Sequence, residues 1–437
     1  MNVELRNTKT AAEQGLSDAF AAARSTLPGK GALAGLREAA FNRFAATGLP
    51  HRRIEEWKFT DLRALMREAK PLAGPAGVKP KGDIAPILSG VEAQHVAIVN
   101  GRYEPSWSDL KGGEPGVTIE GVFEFLAESP DYRLGQVPGS DDPAHWLNTA
   151  FMSGGVALRV RRGVAAARPI HIAHVFSGSA GAAMYPRVVV IVEPGAQATL
   201  IESFSGPEGV DYQVISALEL VIGDHARLDR IQIGCDGGAA LRVSSLGATV
   251  GAKAGYRDFT FTLGGAVVRN QSFVRFAGEG TEAALGGASL LKGRQHVDNT
   301  LVINHAAGGC VSRERFKSVL DGESHGIFQG KIIVEPHAQK TDAKMMTRAL
   351  LLSDAAEADN KPELEIFADD VICGHGATTS APDAALKFYL MSRGIPAAEA
   401  EALLIQAFID EAIEEVAHEG VRKALMFAAL KWLGSRS

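Results

Sequence analysis

The stretch Val192-Glu193-Pro194-Gly195-Ala196 ends a short apolar run, and its turn is the first of a regular series. Turn residues return at Gly223-Asp224, Gly251-Ala252 and Gly278-Glu279, so the glycines at 195, 223, 251 and 278 lie 28, 28 and 27 residues apart. The opening stretch itself returns as Val334-Glu335-Pro336-His337-Ala338. A near-constant spacing indicates a repeat architecture, in which each unit buries one face on the next.

The segments between these turns have the pattern of β-strands. Phe259, Phe261 and Leu263 alternate with polar residues, which is the period of a half-buried strand. Similar short runs fill residues 156–379 with hardly any helical periodicity. Short strands combined with a regular repeat predict a β-helix or solenoid core over residues 156–379. A large β-sandwich is the alternative, because strand runs alone do not separate the two.

Helical patterns flank this core on both sides. Apolar residues between Leu33 and Phe44 follow one helix face, so residues 1–90 are predicted to form a helical domain that ends in a Pro- and Gly-rich linker. Residues 91–155 are predicted to be a mixed α/β lead-in segment. Residues 380–437 are predicted to form a second helical domain.

An apolar stripe marks the middle helix predicted near the C-terminus. Ile405, Phe408 and Ile409 lie on one side of this helix, and acidic residues take the other. An amphipathic helix buries its apolar face against another surface. The sequence leaves open whether that surface is the solenoid core or another protein.

Composition excludes several classes of function. The chain has 45 Lys and Arg against 51 Asp and Glu, a net charge of -6 that gives no basic footprint for nucleic acid. No run approaches the roughly 18 apolar residues of a membrane span, and the polar segment Met1–Thr10 does not resemble a secretory signal. The three scattered cysteines argue against a disulfide framework, so we expect a reducing, cytoplasmic environment.

The stretch Cys373-Gly374-His375-Gly376-Ala377-Thr378 is the strongest candidate for metal or sulfur chemistry. Thiolate and imidazole are preferred ligands of iron, zinc and iron–sulfur clusters, and on a strand Cys373 and His375 would face the same side. The alternative is a buried structural cysteine beside a histidine that hydrogen-bonds a turn. Two ligands cannot complete a tetrahedral site, so a functional site needs ligands from elsewhere, such as another subunit.

Other polar residues are weaker candidates. His171 and His174 lie three apart in a predicted strand and should point to opposite faces, so they should not share a metal. The pair Asp369-Asp370 resembles the acidic residues of β-helices that cleave polysaccharides, although such a pair is more often a solvated turn. Four further histidines fall in the repeat region without any ligand spacing: His296, His305, His325 and His337.

Three segments together carry a resemblance to a known family. The stretch Glu56–Leu62 is similar to a Trp-Lys-Tyr-Thr element, Cys373–Thr378 to Cys-Ser-His-Gly-Ala-Thr, and Phe388–Ile395 to Tyr-Leu-x-Ser-Arg-Gly-Ile. On these residues the chain resembles the SufB/SufD family of the SUF iron–sulfur cluster assembly system over essentially its whole length. Phe59 replaces Tyr but keeps the ring, and Gly374 replaces Ser, which puts only a secondary hydrogen bond in doubt.

Within the family, the SufD branch is favoured over a SufB-like paralogue. SufB is usually longer and often carries N-terminal cysteines, whereas residues 1–234 here contain none. The resemblance implies a right-handed parallel β-helix flanked by N-terminal and C-terminal helical domains. It implies a non-catalytic scaffold in a SufB–SufC–SufD complex, with ATP hydrolysis in SufC. A stand-alone polysaccharide-acting β-helix enzyme is the alternative from a different class.

The resemblance also implies partners and site residues. SufB is expected to pair with the β-helix, and a nascent iron–sulfur cluster is expected between a SufB cysteine and a histidine that corresponds to His375; the role of Cys373 is less secure. A flavin on the complex, and a homodimer of the isolated chain, are further expectations. The SufC ATPase is expected to bind the C-terminal helices, and the residues assigned to this docking region are Phe388, Tyr389, Arg393, Ile405, Phe408 and Ile409.

Overall fold

The computed structural model describes residues 9–77, 79, 85–129 and 131–435. Most of the N-terminal segment analysed for a secretory signal, and positions 78 and 80–84 of the predicted linker, lie outside the described residues. Each helix in the described ranges is too short or too polar to span a lipid bilayer. The α-helices are α1 (Ala11–Ala23), α2 (Ala32–Thr47), α3 (Leu62–Leu65), α4 (Val122–Glu128), α5 (Pro143–Phe151), α6 (Ala384–Ser392), α7 (Ala397–Ile413) and α8 (Glu419–Gly434).

The strands form two long sheets. Sheet I has the order β2-β1-β5-β8-β10-β12-β14-β16-β18-β20, and sheet II has the order β19-β17-β15-β13-β11-β9-β7-β4-β3, with β6 also paired to β9. The strands are β1 (Gln94–Val99), β2 (Arg102–Tyr103), β3 (Val117–Gly121), β4 (Gly154–Val160), β5 (Ile170–Val175), β6 (Ala183–Met184), β7 (Pro186–Val192), β8 (Gln197–Ser205), β9 (Gln213–Ile222), β10 (Arg227–Cys235), β11 (Leu241–Val250), β12 (Gly255–Thr262), β13 (Val267–Phe276), β14 (Glu282–Leu291), β15 (His296–His305), β16 (Val311–Leu320), β17 (His325–Val334), β18 (Asp342–Leu351), β19 (Glu357–Ile366) and β20 (Ile372–Ser380).

Alternation between the sheets makes the chain a parallel β-solenoid. Eight coils, from β4–β5 to β19–β20, each give one strand to each sheet. The predicted turns stack on one another, because the N–H of Gly223 donates to the carbonyl of Val192 and that of Gly251 to Ile222. The repeat prediction is confirmed, and the β-sandwich alternative is wrong because neighbouring strands of each sheet come from successive coils and run parallel.

The space between the two sheets, here called the lumen, is filled by side chains. Residues at every second position along each strand face inward, so Leu218 and Leu220 of sheet II meet Leu228 and Tyr256 of sheet I in one core. A fully buried Leu contributes about 1.5–3 kcal/mol to stability. The lumen is therefore a packed core over most of its length and not an open channel.

Helices cover two other surfaces of the solenoid. Helices α1, α2 and α5 share an apolar core with sheet II strands β9 and β11, and Trp57 lies in that core. Helices α7 and α8 pack on the outer face of sheet I, where Ile405 and Ile409 contact a cluster that includes Phe259 and Phe261. The apolar stripe of α7 is thus used within the chain.

The two ends of the solenoid differ. At the closed end, β2 pairs antiparallel with β1 and β3 with β4, and these short strands end the two sheets. At the open end, β19 and β20 are the last strands, and most of their residues are exposed or only half-buried. No described strand pairs with the outer edge of either one.

Candidate functional site at the open end of the solenoid

Strand β20 places both predicted ligands at the open end. Cys373 pairs in register with Ala343 of β18, and His375 pairs with Met345. Ala343 and Met345 belong to the buried core of the last coils, so Cys373 and His375 lie on the same, lumen-facing side of β20. The structure therefore forms a strand where the sequence allowed either a strand or a Gly-rich turn.

The two side chains have different surroundings. Cys373 is half-buried and packs on the core of the last coils, and burial raises the pKa of its thiol, with the negative charges of Asp342 and Glu314 adding to the effect. His375 is exposed, and its side chain makes no hydrogen bond to any described residue. Open space surrounds Gly374, where the family pattern has Ser. The imidazole of His375 is thus accessible to an incoming ligand.

Backbone groups of β20 are also free at this edge. The N–H of Ile372 donates to the carbonyl of Thr341, which directly precedes β18, and residues alternate along a strand, so Cys373, His375 and Ala377 direct their N–H and C=O groups away from β18. An uncapped edge of this kind is a template for pairing with another chain. The edge and the imidazole lie on the same strand.

The edge of β19 is partly blocked. The N–H of Glu357 and that of Phe367 both donate to sheet II neighbours, so even-numbered residues of β19 direct their backbone outward. One of these is Pro362, which has no N–H to donate. Between the two edges, Phe367 is 60% exposed and Ile372 is 65% exposed. The open end thus combines one pairing edge with an apolar rim.

The predicted docking residues fall into two groups. Phe388 and Tyr389 are exposed on α6, where no residue is buried, and Arg393, also exposed, directly follows this helix, with its guanidinium 5.2 Å from the centre of the Tyr389 ring. Ile405 and Ile409 are instead buried against sheet I of the same chain. The docking prediction is therefore corrected for these two isoleucines, which hold α7 in place and offer no surface to a partner.

Phe408, the remaining predicted docking residue, lies between these groups. Its ring is half-buried, and the Lys317 ammonium lies 4.5 Å from the ring centre. The same ammonium donates to the Phe408 carbonyl at 2.7 Å. This contact joins α7 to β16, so Phe408 also serves mainly within the chain.

The other histidines do not form a metal site. His171 faces the outside of sheet I and contacts Ser203, whereas His174 faces the lumen and contacts Glu202, as their spacing predicted. The rings of His296 and His325 pack edge to face at 5.0 Å, with Nε2 of His325 bonded to Asp359. In the described ranges no three His, Cys, Asp or Glu side chains converge as metal ligands.

The acidic pair at 369–370 lies in an exposed turn. The Asp370 carboxylate pairs with the Lys340 ammonium, and both side chains are largely exposed. The backbone N–H of Asp370 also donates to the amide oxygen of Gln339. These contacts fit a solvated turn between coils and give no acid–base pair for glycoside cleavage.

The motif at Glu56–Leu62 has a role that the sequence did not reveal. Trp57 is 1% exposed and lies under the guanidinium of Arg269, at 4.0 Å from the ring centre. The hydroxyl of Thr60 donates to the carboxylate of Asp298 at 2.6 Å. The motif thus fastens the N-terminal helices to the outer face of sheet II, at strands β13 and β15.

Comparison with known proteins gives a consistent result along the chain. Residues 174–408 match the model described as "SUF system FeS cluster assembly, SufBD core domain", and residues 10–172 match "SufBD protein N-terminal region". The iron–sulfur cluster assembly protein SufD of Escherichia coli is 29% identical over 87% of this chain and 88% of its own length. SufBD family proteins of Synechocystis and Mycobacterium tuberculosis are 29% and 32% identical over 87% and 72% of this chain, and over 86% and 81% of their own lengths.

Proposed function

The chain belongs to the SufBD family of iron–sulfur cluster assembly proteins, and on this premise we propose that it is a non-catalytic scaffold subunit of a SufB–SufC–SufD complex. Its open end would receive SufB, and the nascent cluster would form between the two chains as cargo. His375 would supply one ligand from this side. Cys373 is the weaker candidate for a second.

The observation that carries this proposal is the position of His375. It lies on the last strand, on the lumen-facing side, exposed and without a hydrogen-bond partner among the described residues. A structural histidine of the core would be buried and bonded, as His174 is. A ligand shared with another chain has to be free and at an edge, which fits His375.

The proposed partner contact uses the backbone as well as side chains. Pairing along the outer edge of β20 would satisfy the outward N–H and C=O groups of Cys373, His375 and Ala377. The same contact would cover Phe367 and Ile372, which lie at the rim. Exposed apolar side chains at a sheet edge mark such an interaction site.

For the ATPase partner, we propose α6 as the docking helix. Phe388 is 72% exposed and Tyr389 lies beside it, on a helix with no buried residue. The helix is held by α7 through the ion pair of Lys387 with Glu401 at 2.5 Å. Movement of α6 by a bound ATPase would act on β20 through the short connection at residues 381–383.

Two further parts of the proposal concern environment and cofactor. The three cysteines of the described residues are unpaired, which fits a reducing compartment such as the cytoplasm. The flavin expected on the assembled complex stays a prediction, and we assign no residue of this chain to it.

His375→Ala tests the site. Because His375 is exposed and its side chain bonds to no described residue, we expect the SufB–SufC–SufD complex to form normally while the iron and acid-labile sulfide retained after anaerobic assembly fall to background. Thr378→Ala is the matched control, since Thr378 is exposed on the opposite face of β20. Size-exclusion chromatography reports the complex, and metal and sulfide assays report the cargo. Normal cluster content in the His375 variant would refute the assignment.

A further inference from the structure

A cavity of about 920 Å³ lies between helix α8, residues 85–91 and the outer face of sheet I. Its floor is the carboxyl end of three strands, with Ser203 of β8, Cys235 of β10 and Leu263 directly after β12. Protein interiors are closely packed and leave few voids larger than a water molecule. The volume falls in the range of ligand sites, about 300–1,000 Å³, so there is room for a small molecule.

Helix α8 forms one wall of this cavity with small residues. Gly420, Ala424 and Ala428 recur every four residues and line the cavity together with Phe427. Because these three residues are small, α8 and residues 85–91 do not close the space between them. The side chain of Phe427 is 71% exposed, so its ring lies at the mouth of the cavity, which is open to solvent.

The charged side chains that line the cavity are all positive. They are Lys292, Lys423 and Lys431, and no described Asp or Glu is among the lining residues. The ammonium of Lys423 pairs with Glu419 at 2.6 Å. The Lys292 ammonium instead donates to the neutral hydroxyl of Ser435 at 3.0 Å, and Lys431 forms no ion pair with a described residue. Two ammonium groups without a carboxylate partner therefore lie near the C-terminal end of α8.

From this lining we propose that the cavity binds an anionic amphiphile, a molecule with a phosphate head on a hydrocarbon chain. The ammonium groups of Lys292 and Lys431 would donate charge-assisted hydrogen bonds to the phosphate. The chain would lie along Ala428 and Ala424 toward Gly420, which is about 16 Å from Lys431 along the helix at 1.5 Å per residue. There its apolar surface would leave water.

The polar groups of the lining favour a hydrocarbon body over a nucleobase. A nucleobase is oriented in a site by polar groups placed opposite its edges. No described Asn, Gln, Asp or Glu side chain lines this cavity. The hydroxyl of Ser203 on its floor is already hydrogen-bonded to Nε2 of His171 at 2.7 Å. A hydrocarbon chain needs no such partners.

This site does not rest on the proposed function. The residues that line the cavity belong neither to β20 nor to α6, where the cluster and ATPase contacts are proposed. Binding is expected of the isolated chain, whereas the cluster site needs a partner. Each proposal can fail without the other.

Isothermal titration calorimetry of the purified full chain with dodecyl phosphate, kept below its micelle concentration, tests the proposal. We expect one molecule per chain, and Lys292→Gln/Lys431→Gln should weaken binding by about tenfold or more, because two charged donors are lost. The matched control is Lys111→Gln/Lys344→Gln, which removes two exposed ammonium groups outside the cavity and should leave binding unchanged. Ala424→Phe should abolish binding, since the ring would occupy the cavity.

Four results would overturn the site. Absence of binding to the wild type would mean that water or other parts of the chain fill the cavity. Equal binding by the wild type and Lys292→Gln/Lys431→Gln would exclude the phosphate contact, and unchanged binding by Ala424→Phe would place the ligand elsewhere. Adenosine monophosphate bound as tightly as dodecyl phosphate would exclude the hydrocarbon body. Circular dichroism of each variant excludes misfolding, and the cluster content of His375→Ala is scored separately.

Discussion

The closed and open ends of this solenoid are built from similar coils, but they differ in how many of their polar groups are paired within the chain. At the closed end, the antiparallel strands β2 and β3 pair with β1 and β4, and in the second to fourth of the eight coils the buried acids Glu202 and Asp258 are balanced by Arg230. At the open end, the backbone edge of β20 and the His375 side chain are unpaired among the described residues, and two coils inward no described cation forms an ion pair with Glu314. One end is closed by strands of the same chain, and the other leaves an unpaired strand edge.

The largest expected effect on stability comes from Arg230, on β10 in the third coil. Arg230→Met would leave two buried carboxylates without their cation, and such a loss costs about 3–5 kcal/mol of unfolding free energy. Urea unfolding at pH 7 measures the change. Arg257→Met is the control, because Arg257 is exposed on the outer face of the neighbouring strand. A loss below about 1 kcal/mol would remove the contrast between the two ends.

Glu314→Gln should raise the free energy of unfolding at pH 7, whereas Arg230→Met should lower it. Because the folded-state pKa of Glu314, about 8, exceeds its ordinary value of 4.5, the folded chain binds more protons than the unfolded chain between these values. The wild type should therefore lose stability as pH rises from 4.5 to 8, by up to about 1.4 kcal/mol per pH unit. The Gln variant should show a flatter profile of unfolding free energy against pH in urea unfolding. Identical slopes would show that Glu314 ionises freely in the folded chain.

A pair of proline variants tests which backbone N–H groups of β20 point away from β18. Ala377 directs its N–H outward, so Ala377→Pro should cost only about 1 kcal/mol of unfolding free energy yet abolish pairing with SufB. Thr378 directs its N–H toward β18, so Thr378→Pro should destabilise the last coil more. Thermal unfolding and co-purification measure the two effects. Equal destabilisation by both prolines would contradict the assigned edge, and intact pairing with Ala377→Pro would exclude β20 as the contact.

The smallest effect on stability is expected at α6. Phe388→Ser removes an exposed ring, so the unfolding free energy should stay within about 0.5 kcal/mol of wild type. Retention of the SufC ATPase on the immobilised chain should nevertheless fall. Ile409→Ser is the contrasting variant, because that side chain is buried and its loss should destabilise the fold. Unchanged retention with Phe388→Ser would move the docking surface away from α6.

The repeat was predictable because each coil of a solenoid has its own turn residues and strand pattern within a short stretch of sequence. Turn glycines such as Gly223 and Gly251 recur once per coil, and alternation along Phe259 and Phe261 gives the strand faces. The common face of Cys373 and His375 followed from their spacing. Their position on the final strand could not be derived from spacing, since it depends on where stacking stops.

Two parts of the site could not be predicted for a physical reason. The stripe through Ile405 and Ile409 shows that a surface is covered, but amphipathicity does not identify what covers it. Glu314 sits in a strand rich in charged residues, where nothing marks it as the inward one. Its isolation depends on Leu285 and Met345, which belong to coils about 30 residues away in sequence.

The antiparallel strands β2 and β3, which close one end of the solenoid, limit how many chains can stack end to end. Stacked coils could in principle add without limit, as in a fibril, because each exposed strand repeats the pairing offered by the last. Here the antiparallel strands β2 and β3 end the two sheets at the closed end. At the open end, Pro362 leaves the edge of β19 without one N–H that a further strand would need. Two such chains joined through their open ends would have no free end left. The closed end therefore sets a limit of two solenoids per stack.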